Sequence, residues 1–284
     1  MFGTWSPTPS ATHEPPDISF AAAVGLYVAA LVAPAIVGLI DGVSDPGTAV
    51  LYMSFLAVSA VLVVGVGVAV GRVRGLAERL GSSRLSWGVP FLAALVGLGY
   101  GYVAFSTELI STAITFVGFA TSLIAVLLGL LIQALAHSRY TAAILHDVSV
   151  TAEWHAGWPA RDRWLTGIAG IALMLFGLVG FIADLLPGGI VVQLLGMIAY
   201  IVGTAIVGAG RPWTYRVTPE GLERALPVYR TLTPWEKLAG YETGERTLRL
   251  YWRSWWRPAI RCDLQAIDDP EAVFDALDDH LVRQ

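Results

Sequence analysis

The sequence predicts a membrane α-helical bundle of six transmembrane helices in three hairpins, followed by a small C-terminal β-rich domain with a terminal α-helix. Of the 284 residues, 55% are hydrophobic and only 14% are charged, and the mean hydropathy is +0.63. Since a soluble domain carries about 25% charged residues, this composition indicates a membrane protein. Beyond Arg211 the long apolar runs end and short alternating segments replace them, which separates the bundle from the smaller domain.

The N-terminal tail, residues 1–17, is rich in Pro, Ser and Thr and contains no Arg or Lys. This composition predicts a disordered segment. A secretory signal peptide requires a basic segment before its apolar core. The first apolar stretch, which starts at residue 18, is therefore interpreted as an uncleaved span.

The membrane domain is predicted to cover residues 18–211. A helix needs about 20 apolar residues to cross the roughly 30 Å of hydrocarbon in a bilayer. Six stretches meet this length, and each is bounded by charged residues, by Pro or by Gly-rich turns. They lie at about residues 18–40, 48–71, 87–106, 110–136, 165–183 and 189–210.

The loops between the predicted spans differ in charge. Three short loops hold no Arg or Lys: residues 41–47, 107–109 and 184–188. The longer loops at residues 72–86 and 138–164 hold four and three arginines, and the C-terminal segment opens with Arg211. Because Arg-rich loops stay cytoplasmic, the N-terminus and the C-terminal domain are predicted to lie on the cytoplasmic side of a cell membrane.

Small residues recur four positions apart within two spans, as in Gly67/Gly71 and Gly97/Gly101. In lipid, this spacing lets helix backbones approach each other closely. Packing within one bundle is the favoured interpretation. A homo-oligomer that pairs through these Gly-rich helix faces is the alternative.

The spans carry no ionisable residue at their centres, where transporters and intramembrane enzymes usually have one. Gln133 and Gln193 lie within spans, and we expect each to bond a neighbouring helix. The chain has no HExxH zinc motif, no P-loop and no G-x-S-x-G motif, and its one cysteine, Cys262, excludes an intrachain disulfide. We therefore expect no enzymatic activity, no catalytic residue, no metal site and no cofactor. The net charge of −4 argues against a nucleic-acid partner.

The segment at residues 138–164 is the longest connection between predicted spans. Its second half contains three tryptophans and two arginines, and such residues together suit the lipid headgroup layer. A linker that anchors the fifth span is the favoured interpretation.

The C-terminal domain is predicted to span residues 212–284 and to contain roughly five strands. Residues 213–218, 247–253 and 258–267 alternate between apolar and polar side chains, which is the period of a half-buried strand. The last segment has acidic residues in its first turn and apolar residues at helical spacing. It predicts an amphipathic helix that covers the sheet.

A pattern of seven residues in this domain combines a strand that ends in Val-Thr, a Gly-Leu that starts the next strand, and a later Pro-Trp step. These residues are Val217, Thr218, Gly221, Leu222, Pro234, Trp235 and Leu238. The pattern resembles the bacterial-type pleckstrin-homology module of prokaryotic multi-pass membrane proteins, over about a quarter of the chain. The resemblance implies a small β-barrel with a capping helix, attached directly to membrane spans and usually without catalysis. It does not specify a ligand.

One surface of this domain is a candidate for recognition, because arginines and aromatic residues are interleaved over residues 246–261. The candidate contact residues are Arg249, Tyr251, Arg253, Trp255, Trp256 and Arg257. Arginine attracts anionic headgroups and tryptophan prefers the membrane interface. We therefore expect this surface to contact the inner leaflet or a membrane-protein partner. The alternative is that Trp252 packs in the barrel and the arginines pair with glutamates of the same domain.

These predictions favour a non-enzymatic membrane protein whose cytosolic domain binds lipid headgroups or a protein partner, in a scaffold or envelope role. The alternative is a transporter or channel with an unidentified small substrate, which a solvated cavity at mid-membrane would favour. The polar residues that could line such a cavity are Gln133, Gln193, Tyr100 and Tyr102. All basic residues except Lys237 are arginine, which indicates a high-GC or halophilic source such as a halophilic archaeon.

Overall fold

The computed structural model describes residues 17–44, 47–106, 112–182, 189–226 and 229–283. Side chains are described for all of these residues except those at positions 84, 104–106, 112–113, 181–182, 189–191, 193–194 and 209. The chain divides into two compact units. Unit 1 comprises Met1–Asp147 with Pro227–Thr231, and unit 2 comprises Val148–Leu226 with Leu232–Gln284.

Unit 1 is built from helices. They are α1 (Ile18–Ser44), α2 (Thr48–Gly71), α3 (Leu76–Ser82), α4 (Gly88–Ser106) and α5 (Thr112–Ile144), with a 3₁₀ turn at Arg84–Trp87 before α4. Helix α1 packs against α2 and α5, and α5 also contacts α3 and α4. The first two predicted hairpins are therefore present as the pairs α1–α2 and α4–α5.

Glycine allows the close approach of these helices. A Cβ at Gly25 of α1 would lie 2.5 Å from the carbonyl oxygen of Val63 in α2, so no other residue fits there without a backbone shift. A Cβ at Gly67 would lie 3.6 Å from a backbone oxygen of α1, and one at Gly97 would lie 3.2 Å from a side chain of α5. The predicted small-residue faces thus pack within the unit.

Two further helices, α6 (Ala160–Ile182) and α7 (Gly189–Ala209), pack against each other in unit 2. They too meet at glycines. A Cβ at Gly177 would lie 2.4 Å from the carbonyl oxygen of Gly196, and one at Gly203 would lie 2.7 Å from the carbonyl oxygen of Gly170. The third predicted hairpin is therefore a tight helix pair.

Five helical segments among the described residues are long and apolar enough to cross a membrane. They are Ile18–Ser44, Thr48–Gly71, Leu85–Val103, Ile114–Ile144 and Ala160–Gly180. Helix α7 lies at the sixth predicted position, where the described apolar stretch is the shorter Leu195–Gly208. The predicted N-terminal tail up to residue 16, and the loops at 107–109 and 184–188, lie outside the described residues.

The strands form two antiparallel sheets. The first has the order β1 (Ala152–Ala156), β2 (Trp213–Thr218), β3 (Gly221–Ala225) and β4 (Arg230–Thr233). The second has the order β5 (Leu238–Thr243), β6 (Thr247–Trp252) and β7 (Ile260–Asp263). A terminal helix, α8 (Pro270–Asp278), follows the second sheet.

Strand β1 corrects the interpretation of residues 138–164 as a linker. It pairs with β2 over its whole length, from Ala152 opposite Val217 to Ala156 opposite Trp213. The α6–α7 hairpin is thus inserted between two strands that are direct neighbours in the sheet. The β-rich part of unit 2 therefore draws on a segment far upstream of residue 212.

The two sheets and α8 enclose one apolar core. Its fully buried members include Val217, Leu222, Leu248, Leu250 and Leu277. Helix α8 begins where the Asp269 carboxylate accepts a hydrogen bond from the backbone N–H of Ala272 at 3.1 Å, an N-cap that satisfies a free helix donor. The hydroxyl of Tyr241 donates to the Asp278 carboxylate at 2.6 Å. The predicted amphipathic helix is thus confirmed, and it is fastened to β5.

Candidate functional site

The β6–β7 hairpin carries the predicted contact residues. Leu248 and Leu250 of β6 are fully buried, and their partners across the strand pair are Cys262 and Ile260 of β7. Side chains alternate between the two faces of a strand, so Arg249 and its neighbour Tyr251 lie on the opposite face. The predicted alternation of this strand is therefore observed.

Arg249 and Tyr251 both contact Glu242 of the neighbouring strand β5. The hydroxyl of Tyr251 donates a hydrogen bond to Oε2 of Glu242, and Nη1 of Arg249 lies 4.0 Å from the same oxygen. Such a half-exposed ion pair contributes at most about 1 kcal/mol. These contacts nevertheless hold Arg249 and Tyr251 against the sheet. The alternative interpretation of this surface expected such pairing of its arginines with glutamates of the same domain.

The other four candidates lie at the hairpin tip, residues 253–259. Here the backbone N–H of Arg257 donates to the carbonyl oxygen of Ser254 at 3.1 Å and closes the turn. Trp255 is 94% exposed and Trp256 is 66% exposed, and the side chain of Arg253 is exposed as well. Transfer of each indole from water to a less polar environment would gain on the order of 2–3 kcal/mol. Two adjacent exposed indoles beside arginines suit a membrane or protein contact.

Next to the tip, tryptophan and arginine side chains follow one another in a series that we call the Arg–Trp stack. Its members are Trp213, Arg224, Trp252, Arg257 and Trp256. Cζ of Arg257 lies 4.9 Å from the ring centroids of both Trp256 and Trp252. Cζ of Arg224 lies 5.7 Å from the Trp252 ring and 5.6 Å from the Trp213 ring. These distances are within the range of a cation–π interaction.

Sequence reasoning missed Trp213 and Arg224 of this stack, because they lie on β2 and β3, far from the tip along the chain. Arg224 is directly opposite Tyr215 in the sheet and two positions from Leu222, and both of these neighbours are buried in the core. Arg224 is therefore on the core-facing side of β3. The signal that could have revealed it is an arginine at an apolar position of the alternating segment at residues 221–226.

Strand β7, which follows the tip, is joined to the start of α6. Nη1 of Arg261 lies 2.8 Å from Oδ2 of Asp162 in the first turn of α6. In addition, the backbone N–H of Asp263 donates to the carbonyl oxygen of Gly157 at 3.0 Å. Trp256 lies five positions before Arg261, a stretch that spans at most about 18 Å. The tip therefore leaves the sheet near the N-terminal end of α6.

The seven-residue pattern is a packing motif. The indole N–H of Trp235 donates to the carbonyl oxygen of Thr218 at 3.0 Å, and the hydroxyl of Thr218 donates to the carbonyl oxygen of Gly221 at 2.7 Å. Gly221 has φ +152°, and a Cβ there would lie 2.3 Å from the carbonyl oxygen of Thr233. These contacts hold the β2–β3 turn against the segment that joins β4 to β5.

Cys262 is fully buried in the β-rich core. Burial raises the pKa of its thiol to about 11, although hydrogen bonding with Tyr215 and Trp154 acts in the other direction. A buried neutral thiol is a poor nucleophile and a poor metal ligand. Among the described residues, no group of three or more His, Cys, Asp or Glu side chains could hold a metal ion.

Of the polar residues that could line a transport path, the three in unit 1 are not brought together. The ring of Tyr100 lies within 2.3 Å of where a Cβ of Gly118 in α5 would be. Gln133 is fifteen residues further along α5, about 22 Å away. Tyr102 is 71% exposed, and the side chain of Gln193 is outside those described. The transport alternative therefore gains no support from these residues.

No protein-family model matches this chain, and neither a curated protein nor a solved structure matches it. The comparisons therefore assign no family to it. Its function has to be inferred from its own residues.

Proposed function

We propose that this chain is a non-enzymatic, multi-pass protein of the cell membrane whose β-rich part is a pleckstrin-homology-like domain that contacts lipid headgroups at the cytoplasmic surface. The contact is made by the exposed hairpin tip. The observation that carries the proposal is the pairing of Ala156 with Trp213 across the inserted α6–α7 hairpin. Because β1 leads into α6 and α7 leads into β2, the β-rich part is attached directly to both of these apolar helices.

The same pairing supports a count of six spans. Strands β1 and β2 are neighbours, so the chain leaves and returns on one side of any membrane that α6 crosses. Helix α6 is long and apolar enough for one crossing, and α7 must then cross back. Added to the four apolar helices α1, α2, α4 and α5, this pair gives three membrane hairpins.

The arginine distribution supports a cytoplasmic β-rich part. Arg72, Arg74 and Arg79, in the segment between α2 and α4, all have exposed side chains. Arg161 and Arg163 lie in the first turn of α6, on the side from which β1 enters that helix. Since Arg-rich connections stay in the cytoplasm, the β-rich part lies there with them.

The pleckstrin-homology-like assignment is supported by architecture and by the motif. Four strands in one sheet, three in the other and a terminal helix agree with a small β-barrel with a capping helix. The residues that carry the resemblance pack together around Thr218, Gly221 and Trp235. β1 also supplies a strand that the segment after residue 212 does not contain.

Lipid is favoured as the ligand because the tip combines two membrane-interface residues with two cations near the start of a membrane helix. Arg253 and Arg257 would each gain about 1 kcal/mol near an anionic leaflet. Trp255 and Trp256 would place their rings at the headgroup level.

Spin labelling of the full chain in phosphatidylglycerol-containing proteoliposomes tests this proposal. A nitroxide on Ser254→Cys reports on the tip, and one on Asp279→Cys at the end of α8 is the matched control. Both sites are exposed, and the native Cys262 is buried. We expect the label at 254 to be reached by oxygen more readily than by a water-soluble nickel complex, and the label at 279 to show the opposite preference. Equal preferences at the two sites would overturn the membrane contact.

A further inference from the structure

We propose that the end of the β-barrel nearest α6 and α7 binds the phosphate of an anionic phospholipid, and that Arg224 and Arg257 are its cationic contacts. The inference rests on the function proposed above and identifies the ligand of that surface. The juxtaposition that carries it is a core-facing arginine near the rings of Trp213 and Trp252, with a second arginine, Arg257, also close to the Trp252 ring.

Arg224 has hydrogen-bonding capacity that the described part of the chain leaves unused. Its Nε atom is buried and has no hydrogen-bond partner there. Among the described residues, no carboxylate forms an ion pair with it either. A buried donor without an acceptor is unfavourable, and a half-buried cation without a counter-ion is less well stabilised than a paired one. A phosphate bound at the accessible part of this half-buried guanidinium would supply the missing negative charge.

The tryptophans hold the guanidinium of Arg224 in an orientation that suits the binding of an anion. When a planar guanidinium stacks on an aromatic face, its N–H groups point outward in the guanidinium plane. They can then donate to two oxygens of one phosphate. The stack also excludes water from part of Arg224, which strengthens its attraction for a negative charge. Arg257 stacks on Trp252 as well, so both cations are held by the same ring.

The position of the stack selects a lipid over a soluble phosphate compound. Trp213 follows the last residue of α7, Ala209, by four positions, which span at most about 14 Å. The headgroup region adds roughly 5–8 Å to each side of the hydrocarbon layer. Trp255 is adjacent to Trp256, a member of the stack, and both residues suit the same interface. A phosphate in the inner leaflet is therefore within reach of Arg224.

Native mass spectrometry of the full-length protein in a neutral detergent tests the inference. The protein is titrated with phosphatidylglycerol, with phosphatidylcholine and with inorganic phosphate. We expect the wild type to retain one phosphatidylglycerol at least tenfold more strongly than phosphatidylcholine, and Arg224→Gln to lose this preference. Arg246→Gln is the matched control, because this exposed arginine lies in the β5–β6 turn away from the stack. It should keep the preference.

Two results would overturn the inference: phosphatidylglycerol binding by Arg224→Gln at the wild-type level, or an equal loss in Arg246→Gln. Displacement of phosphatidylglycerol by millimolar inorganic phosphate would overturn the choice of lipid as the source.

If Arg224→Gln does not fold, Arg257→Gln at the exposed tip takes its place. A partial loss of the preference is then expected, and no loss would contradict the inference. A normal nitroxide depth at residue 254 together with no effect of Arg224 would overturn this inference alone. Failure of the depth measurement would instead overturn the proposed function.

Discussion

At the residue scale, the buried cysteine shows how the β-rich core controls reactivity. Cys262 is packed beside Tyr215 and Trp154, and burial raises the pKa of its thiol from 9.0 to about 11. The folded state therefore favours the neutral thiol. Its contribution to stability is fully present below pH 9 and is lost as the pH rises from 9 to 11, because the unfolded chain then ionises first.

A thiol reagent should thus leave the native chain largely unlabelled at pH 8. Two units of pKa lower the thiolate fraction about 100-fold, and the side chain has no exposed surface. We expect Cys262 to react at least 100-fold more slowly than a cysteine introduced at Ser254, as measured by absorbance after addition of an aromatic disulfide. Denaturation should abolish the difference, and Cys262→Ala should give no signal from this site. Comparable rates in the native protein would contradict the burial.

Arg224 marks the limit of residue-scale prediction. Its neighbour Leu222 is recognisable as a core residue from alternation, and the same alternation would require an apolar side chain at position 224. A guanidinium at that position packs near rings from two other strands, Trp213 and Trp252. Their proximity depends on how the two sheets pack, which no local pattern encodes.

At the element scale, the β2–β3 turn depends on one glycine. Gly221 has a positive φ and faces the carbonyl oxygen of Thr233. We expect Gly221→Ala to destabilise the β-rich part by about 2–4 kcal/mol, because the backbone conformation and the contact both disfavour a side chain. The measurement is thermal unfolding monitored by near-ultraviolet circular dichroism. Gly244→Ala is the control, since a Cβ there would lie 3.2 Å from the flexible side chain of Thr247, and a similar loss in both variants would refute the argument.

The helices were largely predictable because their long apolar runs can be recognised directly along the sequence. Helix α2 coincides with the predicted stretch at residues 48–71, and α8 begins beside the predicted acidic start. In contrast, β1 has only five residues, and its partner β2 lies beyond two complete helices. A short strand whose partner is so distant carries no local signal. Its segment has the composition of a membrane-interface linker, so the sequence alone does not predict a strand there.

At the scale of the whole molecule, the inserted hairpin defines which piece of the chain can fold alone. Residues 212–284 lack β1, so they would expose the edge of β2 and remove Trp154, whose ring stacks on Tyr215 at 5.3 Å. An exposed strand edge promotes aggregation. A fragment that begins at residue 212 is therefore an incomplete folding unit.

A shortened chain should restore that unit. Since Ala156 and Trp213 are directly opposite, an Asn-Gly turn can join residues 148–156 to residues 213–284 as a hairpin. We expect this chain to be soluble and monomeric with a dispersed amide NMR spectrum, whereas residues 212–284 alone should aggregate or give a collapsed spectrum. Equivalent spectra from the two fragments would show that β1 is dispensable.

The insertion of α6 and α7 between β1 and β2 also has a consequence for biosynthesis. The ribosome completes β1 first, and at roughly 5–20 residues per second several seconds pass before β2 emerges. During that interval β1 has no partner. It acquires one only after both helices have been synthesised and β2 has reached the same sheet. Completion of the first sheet therefore depends on a strand that is synthesised only after two complete helices.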